Sequence, residues 1–274
     1  MSNLDDHVFD RVTSFIWSAS GIRLTRAKKI MVEGRLQRRA RALGLHNINE
    51  YCRLVFDTRD FEDEAVNLID AMTTNKTDFF REQEHFDFLI KTAVPELAMA
   101  GRPAKLWSAA CSIGAEPYSL AMVLNDFIRD RLGWSFSILA SDISTDALAK
   151  AVRAVFPLDM IDPVPKDMRQ RYLLRHNDLS KPVFRIGPEV RALVRFARIN
   201  LINDHYPVDR DMDVILCRNL LIYFDKQTQE KVVDRLCSHL RPGGYLILGH
   251  TDSLAGMTVP LDWLGNSIFR RRTV

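Results

Sequence analysis

Two carboxylates, Glu116 and Asp142, stand about 26 positions apart, each just after an apolar run. Glu116 lies in Lys105–Leu120, KLWSAACSIGAEPYSL. There Leu106 to Ala110 read as a buried strand, the small residues Cys111, Ser112 and Gly114 permit a close turn, and Pro117 opens a helix. In an open parallel sheet such a turn borders a ligand crevice at the carboxyl ends of the strands. Phosphate is disfavoured, because no Lys-Ser/Thr follows Gly114 and a single glycine does not make G-x-G-x-x-G. A carboxylate at this turn repels a pyrophosphate and attracts a cation such as a sulfonium or an amino group. Asp142 follows the apolar run Ser135–Ala140 at roughly the spacing at which nucleotide folds place an acid for ribose hydroxyls. An adenosine-like ligand accounts for Asp142, and so, equally, does capping of a helix that begins near Ser144.

The elements around these acids alternate from Pro103 onward: strand 105–109, helix 117–132, strand 135–141, helix 145–154. This is the pattern of a doubly wound α/β domain. Between Phe156 and Arg195 the alternation breaks at five prolines (157, 163, 165, 182 and 188) among short β-like pieces, RYLLR, VFRI and LVRFA. An inserted antiparallel β subdomain over about 157–193 follows. The sheet resumes at 194–199 and continues with DVIL (213–216), whose end at Cys217-Arg218-Asn219 faces the same crevice. Helix 226–240, a turn at Arg241-Pro-Gly-Gly244, strand 245–249 and an antiparallel strand 267–271 complete the domain. Residues 1–72 carry only helical periodicity and form a small all-helical N-terminal domain, with helices ending at Gly21, spanning 26–42, starting near Asn47 and spanning 61–72. Residues 73–102 are a linker and connecting helix, with Asp78 as its expected cap, and 103–274 form the main domain.

The second helix places Val32, Leu36, Ala40 and Leu43 on one side and Lys28, Arg35, Arg38 and Arg39 on another. From Arg23 to Arg41 there are eight basic residues and one acid, Glu33. A solvated helix face and a surface for a polyanionic partner are both consistent with this concentration. Over the whole chain the net charge is only +3, and no recognition motif or aromatic interleaving favours nucleic acid. No apolar run reaches a membrane span of about 18–20 residues, and MSNLDDHVFD is not a basic leader, so a cytoplasmic protein without direct membrane insertion is expected. The four cysteines have no metal or disulfide spacing and read as buried side chains.

Six blocks carry a resemblance over nearly the whole chain: TTNKTDFFRE (73–82), WSAACSIGAEPYSLAM (107–122), ASDISTDALAKA (140–151), FARINLI (196–202), CRNLLIYFDKQTQ (217–229) and GGYLILGHTDSL (243–254). In this order they resemble the chemotaxis receptor methyltransferases, the CheR family. Two blocks depart from its pattern: the usual S-T-G-E-E-P-Y-S has Ile113 and Ala115 here, and G-H-S-E-S reads GHTDS. The resemblance implies an S-adenosylmethionine-dependent methyltransferase of Rossmann-like fold that esterifies glutamates on bacterial chemoreceptors and releases S-adenosylhomocysteine. It also implies that Glu116 holds the cofactor's amino group and Asp142 its ribose. Asn75, Thr77 and Arg81 close over the cofactor, and Asn200, Leu201, Arg218 and Asn219 complete the walls. Arg81 and Tyr223 are the catalytic candidates: Arg81 pairs with a carboxylate, and the Tyr223 hydroxyl positions substrate. Without the resemblance Tyr223 reads as a strand-end aromatic of the core. His250 is expected to be structural, since methylation of an ionised carboxylate needs no base. Lys28, Arg35, Arg38 and Arg39 would dock glutamate-rich receptor helices, and the β subdomain could add a strand from a receptor C-terminal tail. No metal is expected. A catalytically weak, cofactor-sensing interaction module is the alternative.

Overall fold

The computed structural model describes residues 4–57, 61–129, 133–178 and 180–273. It opens with four helices, α1 (Asp6–Ser20), α2 (Lys29–Ala42), α3 (Ile48–Asp57) and α4 (Phe61–Met72). Asp5 caps α1 by accepting the His7 and Val8 amides, and Gly21 ends it at φ 71°. Glycine is needed there twice over: the backbone is left-handed, and a Cβ would sit 2.6 Å from Ile202 Cγ2 of the following domain. The helical periodicity holds, because Val12, Ile16, Val32, Leu36 and Ala40 bury in one small core. Leu43, expected with them, is exposed, since it lies one residue past the last helical turn.

Asp78 does not cap the connecting helix. Phe79 and Phe80 are buried, and the Phe80 amide donates to Ser119 Oγ at 3.0 Å. The chain therefore turns inward at Phe80 (φ 52°) and Glu82 (φ 55°) before any helix can start. Helix α5 (Gln83–Phe88) passes through a π-helical turn, Leu89–Ala93, into α6 (Val94–Met99). The wide turn comes just before Pro95, whose ring removes a donor from the helical ladder.

Seven strands then form one sheet and three form another. In chain order they are β1 (Ala104–Ala109), β2 (Phe136–Asp142), β3 (Val155–Pro157), β4 (Leu173–Arg175), β5 (Val183–Ile186), β6 (Val194–Arg198), β7 (Met212–Cys217), β8 (Leu240–Leu248), β9 (Leu261–Gly265) and β10 (Ile268–Arg271). The large sheet runs β6-β2-β1-β7-β8-β10-β9. Its first five strands are parallel, and β10 returns antiparallel to β8. The chain builds outward from β1 through β2 to β6, then crosses back to lay β7 on the other side of β1. The strand order reverses between β1 and β7, and that switch point is where a crevice opens at the strand ends.

Helix α7 (Ala115–Arg129) begins two residues before Pro117, and residues 130–132 of the predicted helix lie outside the described residues. Helix α8 (Thr145–Arg153) is capped by Ser144, which accepts the Ala147 amide. The insert is the three-stranded sheet β3-β5-β4 with α9 (Lys166–Tyr172) and α10 (Pro188–Arg191). Of the β-like pieces read there, RYLLR and VFRI supply β4 and β5 of the insert, and LVRFA supplies β6 of the large sheet, where that sheet was expected to resume. The final helix, α11 (Lys226–His239), leads directly into β8. The predicted Arg241–Gly244 turn is part of that strand, which bulges where Met212 and Val214 pair with Leu240 and Tyr245. Strand β9, which closes a hairpin with β10, was not expected from the sequence. Apolar clusters cover both sheet faces, one around Leu106, Val214 and Tyr118, the other around Trp107, Ile215 and Leu246.

At the amino ends of the strands Asp213 is fully buried. It accepts from Arg102 at 2.5 and 3.1 Å, from the Lys105 amide at 2.8 Å and from Arg241 at 2.5 Å. Burial alone would raise its pKa, but these donors outweigh it and hold the carboxyl below its ordinary value. A depressed folded pKa contributes stability that is complete above the unfolded value of about 3.9 and is lost as pH falls through the folded one. Asp213→Asn is expected to lower unfolding free energy at neutral pH by about 2–3 kcal/mol. Urea melts at pH 7 and in the acid range test this, the difference from wild type shrinking only below about pH 4.

Candidate active site

The crevice at the switch point is a cavity of about 240 Å³. It is built by the turns that leave β1, β2, β6 and β7, closed by the linker and walled by the helical domain. After β1 the chain passes through left-handed Ala110 (φ 62°), Ser112 (φ 53°) and Gly114 (φ 94°). A Cβ on Gly114 would come 2.9 Å from Ala151 Cβ, so the glycine permits both the backbone angle and the approach of α8. This turn aims the Ser112 amide at Asp142 Oδ2 (2.8 Å) and the Ser112 hydroxyl at the Asn75 carbonyl (2.9 Å). One serine thereby ties the β1 turn to both the β2 acid and the linker.

Asp142 is not the helix cap; Ser144 is. Its second oxygen accepts the Ser144 amide at 2.9 Å, and it borders the cavity. Burial raises its pKa despite the backbone amides of Ser144, Ser112 and Ile143. Further hydroxyl donors from a ribose would stabilise its ionised form.

Glu116 also borders the cavity. Its Oε1 accepts the Ser108 hydroxyl at 2.7 Å, and its Oε2 takes Arg218 Nη1 at 3.0 Å. Arg218, expected only as wall, is 3% exposed in its side chain and central to the site. Beyond Glu116 it reaches Glu82 Oε2 through Nη2 (3.0 Å) and Nε (3.3 Å), and it donates to the Arg81 carbonyl. Two carboxylates therefore share one guanidinium. Burial alone would raise the Glu82 pKa, but Asn219, Arg218 and the His250 amide hold it below the ordinary range. The two carboxylates exceed Arg218 by one negative charge, which Arg81, with Nε 4.0 Å from Glu82 Oε1, offsets only from the more exposed edge of the cavity, so a cationic ligand at Glu116 is favoured.

The other residues singled out in the sequence converge on the same cavity: Asn75, Thr77, Arg81, Leu201, Asn219 and Tyr223 all border it. Asn219 is held at φ 55°, with its amide on Asp252 Oδ2 (2.6 Å) and its side chain on Glu82 Oε1 (3.1 Å). Gly249 makes room for it, since a Cβ there would fall 2.3 Å from Asn219 Nδ2. Asn200 borders the cavity too, but its side-chain amide donates to the Ala19 carbonyl at 2.7 Å and joins the domains. Arg81 is 37% exposed in its side chain. Tyr223 lies half-buried in a short 3₁₀ turn, Leu221–Tyr223, and not at a strand end in the core.

The helical domain is part of the site. Lys28 borders the cavity with its Nζ 5.5 Å from the centre of the Tyr223 ring, a cation–π distance. Ile22, Leu24 and Met31 add apolar wall. The domain is held in place by Asp70 of α4, which accepts the Thr145 amide (2.9 Å) and hydroxyl at the start of α8. This contact, Glu82 and Ser108 were not anticipated, although Glu82 and Ser108 both lie in blocks that carry the resemblance, TTNKTDFFRE and WSAACSIGAEPYSLAM.

The basic helix divides by role. Arg39 forms a two-bonded pair with Glu64 (2.5 and 2.7 Å), which Tyr51 and Asn67 complete. Arg35 donates to the Ala71 and Thr73 carbonyls at the end of α4 (3.2 and 2.7 Å). Both hold the fold. Arg26 and Lys29 are paired with Asp6 and Asp10, so acids from α1 and α4 pair three of the eight cations, Arg26, Lys29 and Arg39. Arg23, Arg38 and Arg41 remain exposed.

Two carboxylates for a cationic, hydroxyl-bearing ligand at the switch point of a parallel sheet with an antiparallel last strand define an S-adenosylmethionine-dependent methyltransferase of Rossmann-like fold. Comparison with known proteins gives the family. Residues 7–73 match "CheR methyltransferase, all-alpha domain" and residues 75–268 match "CheR methyltransferase, SAM binding domain". The chain belongs to the CheR methyltransferase family. It is 36% identical over 269 residues to the chemotaxis protein methyltransferase of Klebsiella aerogenes, covering 97% of this chain and 90% of that protein. It is 34% identical over 266 residues to that of Escherichia coli (97% and 91%) and 32% identical over 260 residues to that of Borreliella burgdorferi (93% and 90%).

Proposed function

We propose that the chain transfers methyl from S-adenosylmethionine to glutamate side chains in the cytoplasmic helices of bacterial chemoreceptors. The supporting observation is that Lys28, Arg81 and Tyr223 border the same cavity as Glu116 and Asp142. The acids suit the cationic, ribose-bearing cofactor, and the cations and hydroxyl suit an incoming carboxylate. When bound, S-adenosylmethionine supplies a sulfonium methyl electrophilic enough for an ionised carboxylate to take it without a general base. Glutamate, with an ordinary pKa of about 4.3, is already ionised at neutral pH.

Glu116 accepts the cofactor's ammonium, joining the Ser108 and Arg218 donors it already has, and Asp142 accepts the ribose hydroxyls. Asn75, Thr77, Leu201 and Asn219 border the remainder of the ligand. Because methyl transfer neutralises the carboxylate, strong cationic stabilisation of the nucleophile would slow it. Arg81, more than a third exposed, orients the substrate carboxylate without burying a tight pair with it. The Tyr223 hydroxyl positions the carboxylate, and Lys28 on the opposite domain steers it inward. The catalytic contribution is alignment and removal of water from the nucleophile. Receptor helices dock on the side of α2 that exposes Arg38, with half-buried Lys28 just before the helix, and a receptor tail adds a strand to the insert.

Transfer of labelled methyl to receptor-containing membranes, counted as base-labile ester, tests the reading. Wild type is expected to yield base-labile label and Arg81→Ala to lose at least about 100-fold of the rate, an orientation effect of a few kcal/mol. Cofactor binding without any ester would overturn it in favour of a sensing module. Arg38→Glu is expected to raise KM for receptor about 5- to 10-fold, a loss of about 1 kcal/mol at an exposed charge, with cofactor affinity and melting temperature unchanged. An unchanged KM would remove α2 from the docking surface.

A further inference from the structure

Behind the Glu82–Arg218 pair lie two histidines, His85 and His250, that methyl transfer does not use. His85 is completely buried on α5. Its Nε2 lies 2.7 Å from the Asn266 carbonyl, an acceptor only, so Nε2 carries the hydrogen and Nδ1 keeps its lone pair. Nδ1 is buried and has no hydrogen-bond partner. It faces Glu82 Oε2 at 3.4 Å. With the ring hydrogen committed to the Asn266 carbonyl, His85 Nδ1 and Glu82 Oε2 are two acceptors facing each other. The exposed His250 ring stands edge-on to His85, with centroids 5.0 Å apart, and its backbone amide already holds Glu82 Oε1 at 3.3 Å. One ligand atom from each of Glu82, His85 and His250 lies within 4.8 Å of the others.

We propose that Glu82, His85 and His250 bind a divalent metal ion of the zinc class. Zinc–nitrogen and zinc–carboxylate bonds of about 2.0–2.2 Å make the edge of a tetrahedron about 3.4 Å long, the separation already present between His85 Nδ1 and Glu82 Oε2. The His85–Asn266 bond is the outer contact that orients a metal-bound imidazole and raises its basicity. His250 is the movable ligand, and rotation of its exposed ring shortens the remaining gap. Arg218 donates to Glu82 Oε2 twice, through Nη2 at 3.0 Å and Nε at 3.3 Å, and the ion takes the position of the longer Nε bond. Its charge works against weakly held hard cations, so imidazole donors select zinc over magnesium or calcium. Bound there, the ion clips the start of α5 to the turn after β8, next to the cofactor cavity.

The full chain, stripped with chelator and titrated with zinc chloride alone, is expected to bind one zinc per chain by calorimetry and not to bind magnesium. His250→Ala, at an exposed position that leaves folding intact, is expected to weaken zinc binding about 10- to 100-fold. In histidine-selective nitrogen NMR, zinc should shift His85 Nδ1 while Nε2 keeps its proton. Zinc binding that is equal in wild type and His250→Ala, absence of saturable binding, or an unmoved His85 Nδ1 resonance would each overturn the proposal. None of these readouts depends on methyl transfer.

Discussion

The buried guanidinium of Arg218 is the interaction on which the site depends. It leaves the end of β7 with only 3% of its side chain exposed and spans Glu82 from the linker and Glu116 from α7. Removing a single charge from such a set leaves the others unpaired in low dielectric, which costs several kcal/mol. The three segments are therefore obliged to meet. Glu82 must point back at the strand ends, and the chain adopts left-handed angles at Phe80 and Glu82 to bring it there. Asn219 takes a left-handed angle to reach the same carboxylate, and Gly249 leaves the space it occupies. Non-glycine residues in this conformation cost about 1 kcal/mol or more each. Their concentration around one cavity fits a site whose geometry is fixed before ligand arrives.

A second constraint comes from the helical domain, which forms one wall of the cavity. Gly21, Asn200 and Asp70 are the contacts that seat it: close packing on Ile202 and Phe224, a hydrogen bond to Ala19, and acceptance of the α8 amino end. Asp70 places its carboxylate where the helix presents unpaired amides and positive potential. Seated in this way, α2 turns Lys28 toward Tyr223 and holds the linker through Arg35. The domain thus completes the cavity while leaving Arg38 free to meet a partner.

Most of the large sheet was legible in the sequence because its parallel strands are apolar runs bounded by turn residues, and the helix signals at Gly21 and Ser144 are local. The hairpin partner β9 was missed because it alternates weakly, with Trp263 and Leu264 exposed at the sheet edge. The Arg-Pro-Gly-Gly segment read as a turn and proved to be bulged strand, since a tertiary partner, β7, overrides local turn preference. Asp78 as cap failed for the same kind of reason, as burial of Phe79 and Phe80 decided the path. At the site, Glu116 and Asp142 announced themselves by chemistry and position. Arg218 and Asn219 were legible as the end of an apolar strand facing the crevice, Asn75, Thr77, Arg81, Asn200, Leu201 and Tyr223 entered through family resemblance, and the Glu82–Arg218 pairing spans 136 positions, beyond any local pattern. Charge counting on α2 overstated its free cations because the acids that pair with them, Glu64, Asp6 and Asp10, sit on other helices.

Central to this account is that Glu116, already holding Ser108 and Arg218, completes its shell with the cofactor's ammonium. Calorimetric binding of S-adenosylhomocysteine and of 5′-methylthioadenosine, which lacks the amino-acid moiety, to wild type and Glu116→Gln tests it most directly. The account predicts that the substitution weakens the first ligand about 10- to 100-fold, the worth of a charge-assisted hydrogen bond, and leaves the second unchanged. Equal losses for both ligands, or no loss for either, would contradict it.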